Sequence, residues 1–138
     1  MESNMTRNFL TLFTPKFFAH QGLEKSLNDQ ALATRSLAEE FHDLVLMEGS
    51  RDAILFDMTG DKNEPNNHLT LLQQIKAPTL IIHGEEDKII DVESHFQFLK
   101  NIKDVQVKIY PKVGHLPMCE APNLTAIDIK AFLTEKSN

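Results

Sequence analysis

The alternation of apolar and polar positions changes character near residue 69. Ahead of that point the spacing is helical. Leu37, Phe41, Leu44 and Val45 recur at i, i+4, i+7 and i+8, which predicts one buried face on a helix over Gln30–Met47. Gly49 predicts the stop of that helix, and Ser50 the N-cap of a short helix carrying Ile54, Leu55 and Met58. Gly60–His68, GDKNEPNNH, is polar and rich in Asn, Gly and Pro, and is expected to be a loop. No strand pattern, internal repeat or low-complexity tract occurs in this half.

Beyond residue 69 the pattern becomes that of a βαβα unit. Pro78 sets an extended entry, and Thr79–His83, TLIIH, is a continuous apolar run closed by Gly84, expected to be a strand buried on both faces. Asp91 is placed to cap a helix on which Val92, Phe96, Leu99 and Ile102 share a face. Val105–Tyr110, VQVKIY, alternates as a second strand that Pro111 ends. Pro122 opens a closing helix expected to turn Leu124, Ile127 and Ala131 inward. Such a unit makes its two strands parallel, joined by a right-handed crossover. Two parallel strands are too few for a stable sheet. The unit therefore reads as cut from a larger sheet: either the chain pairs with strands elsewhere, or the sequence is a fragment.

Composition narrows the class. The 138 residues are 41% apolar and 25% charged with a net charge of −6, which suits a globular chain and argues against disorder. Without a basic stripe there is little to neutralise phosphates, which argues against a nucleic-acid partner. One cysteine, Cys119, makes neither an internal disulfide nor a Cys-based zinc site, and a cytoplasmic location is the expectation. No apolar run approaches the roughly 18 residues of a transmembrane segment, and Phe9–Phe13 is too short for a signal peptide.

Chemistry concentrates after the two strands. Asp87 follows the first and His115 the second, so in a parallel unit both loops emerge at the carboxyl edge, where open α/β sheets place ligand sites. A carboxylate there can accept from imidazole Nδ1–H, fix the tautomer and stabilise the imidazolium. Gly114 is expected to permit the tight turn that presents the ring. Spacing alone equally allows two unrelated polar loop residues. His83, Glu85, Glu86 and Asp87 match no metal spacing and read as solvated loop groups. His42 and His95 sit among polar neighbours and are expected to be exposed. Cys119 lies beside Glu120, which would raise its pKa and argues against a nucleophilic thiolate. Phe9, Leu12, Phe13, Phe17 and Phe18 suit either an acyl-binding lid or core packing.

Two of these stretches carry a family resemblance. Gln74–Asp91, QIKAPTLIIHGEEDKIID, resembles the strand and acid loop of α/β-hydrolase-fold proteins. Gly114–Pro122, GHLPMCEAP, resembles their catalytic-histidine loop at Gly114, His115, Pro117, Glu120 and Pro122. The likeness spans roughly residues 69–134 and is nearest in tone to esterases, lipases and C–C hydrolases. Asp91 departs from it, standing where many relatives have Pro. The resemblance implies a helical cap or lid over residues 1–68 and the C-terminal part of a hydrolase core over 69–138. It further implies Asp87 as triad acid, His115 as triad base, a small ester-type substrate and no metal or organic cofactor.

The family's G-x-S-x-G nucleophile elbow does not occur in the sequence. Ser50, in MEGSRD, has Glu48 and Asp52 where an elbow needs small residues, and the helix-cap reading explains it better. The expectation is a Ser-His-Asp hydrolase whose serine lies outside this chain, inactive alone. The alternative is a non-catalytic, hydrolase-like binding or regulatory protein, or a truncated gene product. An uncovered sheet edge favours self-association or pairing with another polypeptide in either case.

Overall fold

The computed structural model describes residues 16–59 and 68–137. Phe9, Leu12, Phe13 and residues 60–67 of the polar loop lie outside them, as do the side chains of Leu55 and Met58. Contacts divide the chain into two compact units, Met1–Glu24 with Ala33–Glu64, and Lys25–Leu32 with Pro65–Asn138.

The first unit is helical. It holds most of α1 (Lys16–Ser26), together with α2 (Arg35–Leu46) and α3 (Ser50–Thr59). Helix α2 begins five residues later than the apolar spacing predicts. Thr34 is its N-cap, the hydroxyl accepting the Leu37 N–H at 3.2 Å, while Gln30–Leu32 forms a separate 3-10 turn. The buried stripe of α2 runs through Ala38 and His42, with Leu37, Phe41 and Val45 half-buried at its edge. Leu44 is exposed, and His42, expected to be exposed, is buried. Gly49 takes a left-handed φ of 80°, as a helix stop requires. Its carbonyl accepts the Ala53 N–H at 2.9 Å, so α3 opens at Gly49 and Ser50 is the first helical residue rather than the cap. Phe17 and Phe18 are both exposed.

The second unit carries the βαβα order: α4 (His68–Leu72), β1 (Thr79–Gly84), a 3-10 turn Val92–Ser94 capped by Asp91, α5 (His95–Asn101), β2 (Val105–Tyr110), α6 (Pro117–Glu120) and α7 (Pro122–Lys136). The strands are parallel, in register from Thr79↔Val105 to Gly84↔Tyr110. They are the only strands among the described residues. With no third strand beside it, β1 is half-buried from Thr79 to Ile82 and buried only at His83 and Gly84, short of the two-sided burial its composition predicts. Phe98 on α5 and Ile102, just past its end, turn inward, whereas Phe96 and Leu99 are exposed.

The closing helix shows why an apolar face misleads. Leu124, Ile127 and Ala131 are exposed, and Thr125, Asp128 and Phe132 face the sheet instead. Gln106, Lys108 and Tyr110 alternate along β2 and so share one side of it. They meet α7 through polar groups: Gln106 Nε2 donates to Glu135 at 3.0 Å, Lys108 lies 3.2 Å from Asp128, and the Tyr110 hydroxyl donates to Asp128 at 2.7 Å. Burial and then Asp128 push the Tyr110 phenol up to about 12. Because the folded value lies above the ordinary value of about 10, this contribution is complete below pH ~10 and is lost as pH rises toward ~12. Tyr110→Phe is therefore expected to cost about 1–2 kcal/mol at neutral pH and to flatten the alkaline limb of stability. Urea midpoints from pH ~8 to ~12 test this, and an alkaline limb as steep in the variant as in the parent would contradict it.

Candidate active site

Strand β1 delivers its C-terminus to the Glu85–Ile90 loop, and β2 delivers its own to the turn that ends in His115. Pro111 lacks the N–H that would continue the ladder, and Lys112 follows with a left-handed φ of 62°. The two loops are joined by backbone. Glu85 N–H donates to Tyr110 O and Glu86 N–H to Val113 O, both at 2.9 Å. Gly84 packs so closely that a Cβ there would collide with the Gly114 and Val113 carbonyl oxygens.

The histidine loop rests on the 25–32 segment of the same unit. His115 N–H donates to Ser26 O at 2.7 Å, and Asn28 Nδ2 donates to Lys112 O at 2.9 Å. Glu120 completes the anchor. Its Oε1 accepts the Gly114 N–H at 2.6 Å, and its Oε2 accepts the N–H groups of Asn28 and Asp29 at 2.8 and 2.9 Å. Charge-assisted bonds of this kind are the strong ones. Gly114 does not have the left-handed backbone of a tight turn. It is needed because a Cβ would lie 2.7 Å from Ser26 O and 2.8 Å from Asn28 N.

These constraints bring Asp87 and His115 together. His115 Nδ1 lies 2.8 Å from Asp87 Oδ2; the carboxylate side chain is 3% exposed and the imidazole 31%. Asp87 Oδ1 accepts the Ile89 and Ile90 N–H groups at 2.8 and 3.0 Å. Burial works to raise the Asp87 carboxyl, but the Ile90 N–H, His115 and the Ile89 N–H outweigh it and hold it below the usual carboxylate range. An ionised carboxylate facing Nδ1 selects the tautomer protonated there, which leaves the lone pair on Nε2, the arrangement of an oriented general base.

Two participants escape the sequence reading. His83, expected to be buried as the end of the first strand but also grouped with the solvated charges after it, is buried, with Nε2 3.1 Å from Asp87 Oδ2. The legible signal was its place as the last side chain of the apolar run, four residues before Asp87. The Glu120 anchor had no signal beyond its match to the family loop, because its partners Asn28 and Asp29 lie more than ninety positions away. Glu85 and Glu86 are exposed as expected, and His95 is half-buried with Nδ1 on Val92 O. Cys119 is raised first by burial and then by Glu120, so it is held as a thiol. Ser50 belongs to the first unit, in helix α3.

The model of the family "Serine aminopeptidase, S33" matches residues 66–122. A 2-hydroxy-6-oxo-6-(2'-aminophenyl)hexa-2,4-dienoic acid hydrolase of Metapseudomonas resinovorans is 34% identical over 67 residues, 49% of this chain and 23% of that protein. Lipase 1 of Psychrobacter immobilis is 42% identical over 62 residues, covering 45% of this chain and 20% of the lipase. The monoacylglycerol lipase ABHD6 of Homo sapiens is 31% identical over 85 residues, 62% of this chain and 25% of that protein. Among solved structures, a meta-cleavage product hydrolase from Pseudomonas fluorescens IP01 superposes with a TM-score of 0.68 at 20% identity, covering 91% of this chain and 48% of that one. A bacterial membrane phospholipase A superposes with a TM-score of 0.67 at 27% identity, covering 90% and 39%.

These matches support an α/β-hydrolase family for the stretch around residues 66–122, and the two-stranded parallel sheet with flanking helices is consistent with a partial α/β-hydrolase fold. The chain covers 48% and 39% of the two solved neighbours above, and the stretches matched in the curated relatives are 20–25% of those proteins. No helix among the described residues is long and apolar enough to cross a membrane.

Proposed function

We propose that Asp87 and His115 are the acid and base of a Ser-His-Asp hydrolase acting on a carboxylic ester or a related bond, with the serine outside this chain. The 2.8 Å contact between Asp87 Oδ2 and His115 Nδ1, at the carboxyl edge of two parallel strands, is the observation that carries the reading. In the complete site His115 takes the serine proton, passes it to the leaving group and then activates water, while Asp87 orients it. The lipase and dienoic acid hydrolase names of the relatives support a small substrate cleaved at an ester or C–C bond. Residues 1–68 then form a cap or lid and 69–138 part of the catalytic core.

A chimera tests this. The C-terminal part of a lipase that retains its own elbow serine is replaced by the corresponding part of this chain, and p-nitrophenyl ester turnover is measured. His115→Ala is expected to lower kcat by about 10⁶ and Asp87→Asn by about 10⁴. A folded, phosphonate-labelled chimera whose turnover ignores His115→Ala would end the assignment.

The exposed apolar side chains of α7, Leu124, Ile127 and Leu133, and the edges of the two-stranded sheet among the described residues favour self-association of the isolated chain. Sedimentation velocity is expected to show species larger than a monomer at tens of micromolar. A single monomeric boundary throughout would contradict this.

A further inference from the structure

We propose that His83 is a positioning residue, whose buried imidazole donates from Nε2 to the same Asp87 oxygen that receives His115 Nδ1–H and thereby fixes the orientation of that carboxylate. This deepens the reading of Asp87 and His115 as acid and base, and its catalytic meaning rests on that reading. The hydrogen-bond assignment itself does not.

The argument begins with acceptors. His83 Nε2 lies 3.1 Å from Asp87 Oδ2 and 3.1 Å from the Ile90 carbonyl oxygen. A carboxylate and a carbonyl both accept, so a bare nitrogen between them would face two repulsive lone pairs, and Nε2 must carry the proton. In its neutral form His83 is then the Nε2–H tautomer, opposite to His115. Its proton is shared between the acid and the far end of the acid's own loop.

That donation completes the Asp87 carboxylate. Oδ1 holds the Ile89 and Ile90 N–H groups, and Oδ2 holds the two imidazoles. A carboxylate offers about four lone-pair sites, so every site is engaged. Rotation about the bond to the carboxylate group would break bonds on both oxygens, and Oδ2 stays aimed at His115. The loop alone does not give this rigidity. His83 sits in the ladder opposite Ile109 and is only 8% exposed, so its ring is placed by the strand. Without its donor, Oδ2 keeps His115 as its sole described partner, and a buried carboxylate lone pair is left unmet.

Imidazole ¹⁵N spectroscopy on the full chain tests the proposal, at a pH well above the ordinary imidazole range. Two variants separate the roles: His83→Phe keeps a ring but removes the donor, and His83→Gln keeps an amide N–H. Long-range ¹H–¹⁵N correlations of the parent chain are expected to place the His83 proton on Nε2 and the His115 proton on Nδ1. His83→Phe is expected to speed solvent exchange of the His115 Nδ1 proton by about tenfold or more, the factor one hydrogen bond to a carboxylate is worth. His83→Gln is expected to hold it within about threefold of the parent. A His83 proton on Nδ1 in the parent would overturn the proposal. So would a folded His83→Phe chain whose exchange stays within about twofold. Should His83→Phe fail to fold, the parent tautomer decides alone. Failure of the triad reading appears elsewhere, as chimera turnover indifferent to His115→Ala, with these tautomers unchanged.

Discussion

The 138-residue chain assayed by itself is expected to show no saturable hydrolysis of activated esters and no covalent labelling of Ser50 by a serine-directed phosphonate. Removing the nucleophile from a triad enzyme costs on the order of 10⁶ in turnover, and what survives comes from substrate binding and the oxyanion hole. This sequence has no G-x-S-x-G motif, and such an elbow also supplies a backbone oxyanion donor. On the proposed assignment His115 is left to act on water alone, a contribution of roughly 10²–10⁴ at best. Ser50 offers no substitute. It is the first helical residue of α3, with Glu48 and Asp52 two residues either side, and lacks the strained strand-to-helix turn that activates a family nucleophile. Comparing the parent with Ser50→Ala and His115→Ala separates the outcomes. Background rates in all three are expected. Saturable turnover abolished by both substitutions would make Ser50 the nucleophile, and loss with His115→Ala alone would mean that His115 works without a serine.

What the sequence reveals of this fold is what is encoded locally. Thr79–His83 and Val105–Tyr110 announce themselves by composition and by the prolines at 78 and 111, and they pair in parallel as a βαβα order dictates. From there Asp87 and His115 follow, since each lies a few residues past a strand end on a shared edge, and the structure places them in contact. Helix α2 is found but starts late, because the Thr34 cap outcompetes the continuation of apolar spacing back to Gln30. The face of α7 is misread for a different reason. Its partner surface on β2 is built from Gln106, Lys108 and Tyr110, so Asp128 and Glu135 mark the buried side and the aliphatic positions do not. Periodicity assumes that the partner is greasy. The contact of His83 with Asp87 is missed because a histidine close to two glutamates and an aspartate reads as part of a solvated group until its ring is placed by the strand. The anchoring of the histidine loop on Ser26, Asn28 and Asp29 is non-local, and no window of sequence contains both sides of it.

Gly84→Ala is expected to destabilise the second unit more than any other glycine substitution in the described structure. A Cβ at residue 84 meets carbonyl oxygens of Gly114 and Val113 well inside contact distance. These are backbone atoms of the histidine loop and cannot swing away as a side-chain end would. Relief requires the whole loop to retreat from β1. Retreat stretches the Glu86 N–H to Val113 O bond and pulls against Glu120 on Gly114 and Ser26 on His115. Overpacking of this kind costs about 1–3 kcal/mol, and one or two strained hydrogen bonds add about 1 kcal/mol each, for a loss of about 2–5 kcal/mol. Two other glycines calibrate the number. Gly22 lies within helix α1 with nothing within 4 Å of a Cβ, so Gly22→Ala is expected to gain about 0.5–1 kcal/mol from helix propensity. Gly49 has open space but a φ of 80°, so Gly49→Ala is expected to lose about 1–2 kcal/mol from backbone strain alone. Urea titrations of the three variants read the order directly. The His115 Nδ1 proton resonance reports whether the Asp87 contact loosens with the loop. Retention of that resonance and a parental midpoint in Gly84→Ala would mean that the strand and the histidine loop are not packed as tightly as their backbones indicate.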